Sequence, residues 1–271
     1  MAKVSDQEHQ LYFEKTAPYQ ATIEAILNRE KKQLLVIPKS PADAALKRIA
    51  LVEDMLNLAS HYIILNGVSL SVLKVKNEDA LNEARKSIYK SVIYLEQVVT
   101  GFVDAGFSEY EDKTAEIASM DSFRRYLLVR KTGLAIQFLE RAYGDNTKWK
   151  WSFVELEGRY AAVAKNILDM KNAVMNTDPR SSNYEPTMYH LRLVWRLLSQ
   201  AADRYREKYE LSTNRPEDCR LGIDFLCALK RIFVAMGDRE EAEVIQKKID
   251  IWSLKLESDI RKHQEILQKE E

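Results

Sequence analysis

One basic cluster is "SFRRYLLVRKTG", which carries Arg124, Arg125, Arg130 and Lys131. Arg124 and Lys131 are seven positions apart, two turns of a helix, so they share a face able to receive a phosphate or an acidic segment. The plainer alternative is a pair of solvated surface charges, which contribute little to stability. Arg130 interrupts the apolar series Phe123, Leu127, Leu134, Phe138, and it needs a carboxylate partner if that series is buried. A second cluster, "TKWKWSF", alternates Lys148, Trp149, Lys150 and Trp151. Tryptophans beside cations suit stacking on bases, a membrane interface or an anchor in a protein partner. Packing of one indole inward and the other across a neighbouring helix explains the same residues without a partner.

Catalytic and metal chemistry finds little to rest on. His9, His61, His190 and His263 fall in four different expected helices, outside the H-E-x-x-H and paired Glu-x-x-His patterns of metal sites. Asp54, Asn57 and His61 share one face, but Asn is a poor ligand for transition metals and a solvated polar face accounts for them. Nucleophile-elbow, P-loop and dinucleotide-binding patterns do not occur. Cys219 and Cys227 are the only cysteines, and on one helix they stand about 12 Å apart along the axis, too far to pair. Inert packing in a reducing compartment suits them. The expectation is a non-enzymatic chain with no catalytic residue, cofactor or metal.

The elements that must position these residues follow from composition and period. The chain is 46% hydrophobic and 30% charged, with only 8 Gly and 6 Pro, which favours long helices over the turns of an all-β fold. Apolar residues recur at alternating spacings of three and four, as in Leu81, Ala84, Ile88, Val92, Leu95 and Val99. The fold class is therefore all-α. About eight long amphipathic helices are predicted at 5–31, 42–66, 78–102, 119–143, 148–176, 186–211, 217–236 and 239–268. Short connections suggest an antiparallel bundle. Asn77 caps the third helix, while Asn66-Gly67 and Gly144 are expected to end theirs. Residues 106–121 read as a loop with a short helix. A single domain over 1–271 is expected, with the turn-rich "NTDPRSSNYEP" offering a subdivision into 1–176 and 186–271.

Gly237 ends one helical pattern, Asp238 can cap the next with Glu241 three residues on, and Ala242 opens a new stripe. With Gly237 as the turn, Leu226, Leu229, Phe233 and Ala242 fall on the large apolar, aromatic and small positions of a tetratricopeptide unit. Residues 226–252 thus resemble one hairpin of the tetratricopeptide-like helical-repeat proteins. Lys230, Gln246 and Ile249 depart from that pattern. The resemblance implies a divergent α-solenoid or bundle that holds other proteins.

In the last helix the apolar stripe thins after Leu256 to Ile260, Ile266 and Leu267. That half is expected to extend beyond the core as a polar tail or as a contact arm bearing Ile260 and Leu267. Lys plus Arg and Asp plus Glu both number 41, so no overall field draws nucleic acid or an anionic membrane. With no signal-like start and no long apolar run, a cytoplasmic chain is expected. The function expected is protein–protein interaction, as a scaffold or adaptor contacting another protein or a second copy. The alternative is a helical bundle binding an anionic small molecule or nucleic acid through the basic patch.

Overall fold

Ser5 starts the first helix with a reciprocal cap. Its hydroxyl accepts from the Glu8 N–H at 3.3 Å, and the Glu8 carboxylate accepts from the Ser5 N–H at 2.8 Å. The computed structural model describes residues 5–145 and 147–270, apart from the side chains of 263 and 266–270. Among the described residues there is no strand. The helices are α1 (Asp6–Val36), α2 (Ala44–Val72), α3 (Glu78–Val98), α4 (Glu111–Ala115), α5 (Ser122–Tyr143), α6 (Lys150–Asn166), α7 (Met170–Met175), α8 (Tyr184–Lys208), α9 (Pro216–Met236) and α10 (Arg239–Glu270). Eight of these are long, and the protein is all-α.

Two boundaries depart from the sequence pattern for identifiable reasons. Asn66-Gly67 does not end α2, because the Asn66 side chain is buried and its Oδ1 accepts the Asn77 N–H at 2.9 Å. Asn66 is thereby used to fix the start of α3 while α2 runs on to Val72. The helix expected over 148–176 is two, α6 and α7. Asp169 caps α7 by accepting the Asn172 N–H at 3.0 Å, which starts a new helix inside a continuous apolar pattern.

The chain divides into two compact units, Met1–Thr100 with Asp112–Lys148, and Gly101–Glu111 with Trp149–Glu271. The segment 176–186 lies inside the second unit, between α7 and α8. In the first unit α2 is central and packs on α1, α3 and α5. By length and composition α2 is apolar enough to cross a membrane; here Leu51, Val52, Met55, Leu56, Leu58 and Ala59 are buried in the unit's core. Glu30 of α1, also buried, accepts Lys90 Nζ at 3.0 Å and the Tyr94 hydroxyl at 2.7 Å, tying α1 to α3. Its charge is both paired and hydrogen-bonded, which is the condition for burying it.

In the second unit α6 packs on α8, α8 on α9 and α9 on α10. Gly158 of α6 sets the closest approach. A Cβ there would lie 2.6 Å from Tyr205 Cε2 and 3.2 Å from Phe225 Cζ, and these two rings are stacked with centroids 5.6 Å apart. Both rings are buried and have nowhere to retreat. Gly158→Ala is therefore expected to destabilise the protein by about 1–3 kcal/mol from overpacking, even though alanine favours helix by roughly 1 kcal/mol. Urea unfolding measures it, and a stabilised variant would mean that the rings yield.

Candidate interaction surface

Helix α5 holds the basic cluster, and its caps set the register. Asp121 accepts the Arg124 N–H at 2.8 Å at one end, and Gly144 ends the helix at φ 81°. The face turned into the first unit is Arg125, Leu128, Val129, Thr132, Ala135, Ile136, Leu139 and Tyr143. Arg125 is only 4% exposed. Its guanidinium donates to the carbonyls of Met120 at 3.0 Å, Thr114 at 3.2 Å and Ile117 at 3.1 Å. It thus closes the carbonyl-rich end of α4 and the turn after it, a structural task. Thr132 is accommodated inside because its hydroxyl donates to the Leu128 carbonyl at 2.9 Å.

The other sequence candidates on α5 part company. Lys131 Nζ reaches Glu53 of α2 at 2.8 Å, and Arg124 is exposed. Arg124, Arg125 and Lys131 accordingly do not converge on one anion. The apolar series faces outward: Phe123 is 53% exposed, Leu134 41% and Phe138 52%, with Leu127 half-buried among them. Arg130, in the middle of the row, is exposed and has no need of an internal carboxylate. Helix α5 is thus apolar on two sides, one packed and one bare. A helix apolar all round belongs in an interior, and uncovered apolar patches of this kind mark contact sites.

The tryptophan cluster is placed at the start of α6. Lys148 is exposed, and Trp149 and Trp151 are half-buried. Lys150 Nζ pairs with Glu207 at 2.8 Å and lies 4.6 Å from the Trp151 ring centroid. Neither indole is fully exposed, and Lys150 is committed to Glu207 and Trp151.

At the far end, Gly237 takes the left-handed conformation, φ 77°, with its N–H on the Phe233 and Val234 carbonyls. The Asp238 side chain accepts the Glu241 N–H at 3.2 Å. Leu226, Leu229, Phe233 and Ala242 are buried across this hairpin. Ile260 is half-buried, packed on Tyr209, Cys219 and Leu256. The core therefore reaches one turn past Leu256, because α8 ends in a π-helical turn, Tyr209–Thr213, that carries Tyr209 over to bond Asp259 at 3.1 Å. The Leu267 side chain lies outside the described residues.

One cluster had no motif to announce it. Lys165, 1% exposed on α6, donates to the Ala105 carbonyl at 2.9 Å and sits 5.4 and 5.8 Å from the rings of Tyr110 and Phe107. Asn166 Nδ2 donates to the Phe102 carbonyl at 3.0 Å, and Arg231 binds Asp104 at 2.9 Å. Together these side chains bolt the segment 101–111 to α6 and α9. Burial pushes the Lys165 ammonium down to about 8, with Asp104 and Glu109 opposing and Arg231 assisting. Burial likewise drives the Tyr110 phenol upward, and its hydroxyl has no hydrogen-bond partner among the described residues. A cleft of about 540 Å³ beside them is lined by Gly101–Ala105, Glu109, Leu221 and Asp224. The Asp224 carboxyl is held above its usual range by burial and by Asp104. The signal in the sequence was a lysine set in the apolar run "AAVAKNIL". Among the described residues no group of three or more His, Cys, Asp or Glu is arranged to hold a metal ion.

These features define an all-α protein of two helical units with an uncovered apolar row on the outer face of α5. The chain belongs to the TP0443 family, whose family model matches residues 8–260. No curated protein and no solved structure matches it.

Proposed function

We propose that this protein is a non-enzymatic scaffold or adaptor that works by protein–protein contact, with the outer face of α5 as its binding surface. The observation that carries this is Phe123, Leu134 and Phe138 standing in one uncovered row on a helix whose opposite face is already packed. Covering such a row removes apolar area from water at about 25 cal/mol per Å², and aromatic anchors near the centre of a contact dominate its energy. Half-covered Trp149 and Trp151 and the tetratricopeptide-like hairpin at 226–252 suit the same role. The dispersal of Arg124, Arg125 and Lys131 speaks against a small-anion site, and the balanced charge speaks against nucleic acid and membrane. A cytoplasmic setting suits the two free cysteines.

A photo-crosslinking residue at position 134 of the intact chain tests the proposal in lysate of the native source. The expected result is a discrete protein adduct that disappears when Phe123 and Phe138 are both changed to serine. Because both are exposed, that variant is expected to keep its stability within about 0.5 kcal/mol. Crosslinking unaffected by the double change, or no adduct at all, would overturn the role of this face.

A further inference from the structure

The α5 row has the chemistry to choose its occupant. Positions 123, 127, 130, 134, 137 and 141 alternate spacings of four and three, the seam of a helix that packs lengthwise on another helix. From 123 to 141 this seam runs roughly 27 Å at 1.5 Å per residue, about five turns. Phe123, Leu127 and Leu134 supply the apolar part, with Phe138 alongside, and Arg130 sits in the middle of them. Arg141 lies on the same line and Arg124 at its edge; all three arginines are exposed, and no carboxylate occupies any of the seam positions. None of the three is in an ion pair among the described residues.

A helix laid along this seam takes Arg130 out of water. A desolvated guanidinium without a counter-charge is strongly destabilising, so an occupant that leaves Arg130 unpaired is rejected. A second copy of α5 fails that condition. Paired in parallel it sets Arg130 against Arg130, and paired antiparallel it offers Leu134 there, with no carboxylate in the row to answer the charge. We propose, resting on the interaction role above, that the outer face of α5 is the docking site for an acidic amphipathic helix of another protein. That helix brings apolar residues at three-four spacing and an Asp or Glu opposite Arg130, with further acids toward Arg141 and Arg124. The carboxylate opposite Arg130 sets register and specificity, while the phenylalanines supply the buried area.

The test is a phage-displayed library of helical 18-residue peptides, selected on the intact chain with an excess of the Phe123→Ser/Phe138→Ser variant as competitor, then measured singly by fluorescence anisotropy. Enriched peptides are expected to be acidic and amphipathic, with one carboxylate position common to all. Arg130→Glu should weaken them about tenfold, equivalent to 1.4 kcal/mol, and selection on Arg130→Glu should exchange that carboxylate for Lys or Arg. Since Arg130 is exposed, circular dichroism of Arg130→Glu should match the parent. Enriched peptides of neutral or basic character, no enrichment, or acidic peptides indifferent to Arg130→Glu would overturn the proposal. So would sedimentation showing a dimer that Leu134→Ser dissolves, which would make a second copy the occupant. A position-134 adduct in lysate together with a failed selection would leave the interaction role standing and sink only the acidic helix.

Discussion

Arg125→Met should lower stability by roughly 2–3 kcal/mol, because the carbonyls of Thr114 and Met120 lose their guanidinium donor while that of Ile117 is left with the Met120 N–H alone, and each unsatisfied group costs about 1–3 kcal/mol. The guanidinium of Arg125 bridges Thr114, Ile117 and Met120, and methionine matches its stem but offers no hydrogen. Relief from burying a charge offsets part of the loss, which is why the expected figure is not the sum of three bonds. The damage should be local first, with faster proteolysis in 111–121 than elsewhere at temperatures below global melting. Arg125→Lys should recover only part, since one ammonium cannot span three acceptors in the planar geometry of a guanidinium. Urea unfolding of both variants with limited proteolysis is the measurement. A loss well under 1 kcal/mol would show that the charge costs about as much to bury as its bonds return.

Lys165→Met should remove a pH dependence. In the folded protein the Lys165 ammonium titrates near 8 against an ordinary value of 10.5. Below about pH 8 the amine is protonated in both states, and the fold carries the full cost of the buried charge. Between about pH 8 and pH 10.5 the folded protein releases the proton while the unfolded chain keeps it. The unfolded state then binds more protons, so stability rises with pH across that window, by roughly 3 kcal/mol in all. The phenols of Tyr94, Tyr110 and Tyr209 and the thiols of Cys219 and Cys227 are pushed upward by burial. They lose protons first in the unfolded chain, so they lower stability above their ordinary values. The Lys165 contribution is therefore read as the difference between parent and Lys165→Met. Methionine should gain most relative to the parent below pH 8, with the difference shrinking toward pH 10.5. Parallel curves would mean that the ammonium is not desolvated in the fold.

Legibility differed between elements. Helix α3 could be read almost entirely from the chain: Asn77 caps it as expected, and its stripe Leu81, Ala84, Ile88, Val92 and Leu95 is buried. The turn at Gly237 and Asp238 was legible for the same reason, since its chemistry lies within a few residues. Helix α2 was misjudged at its end because Asn66, a plausible local stop, is recruited by the Asn77 backbone eleven residues on. The candidate site was legible as residues and not as an arrangement. Phe123, Leu127, Arg130, Leu134 and Phe138 belonged together, but the spacing left open whether they face inward.

By itself, then, the amino-acid sequence determined the all-α class, most of the helix starts and stops, and the three-four rows on each helix. These depend on hydrogen bonds and spacings inside one element. Tertiary structure alone decided which row of α5 is buried. Both rows have the right period, and the inner one prevails with its Arg125 because the carbonyls of Thr114, Ile117 and Met120, which precede the helix, satisfy the guanidinium there. The same holds for Lys165, whose burial requires the Ala105 carbonyl from a segment 60 residues away. A long cationic side chain such as Lys165 or Arg125 enters the core where backbone from outside its own helix meets it, and the residues that supply that backbone are invisible to any local period.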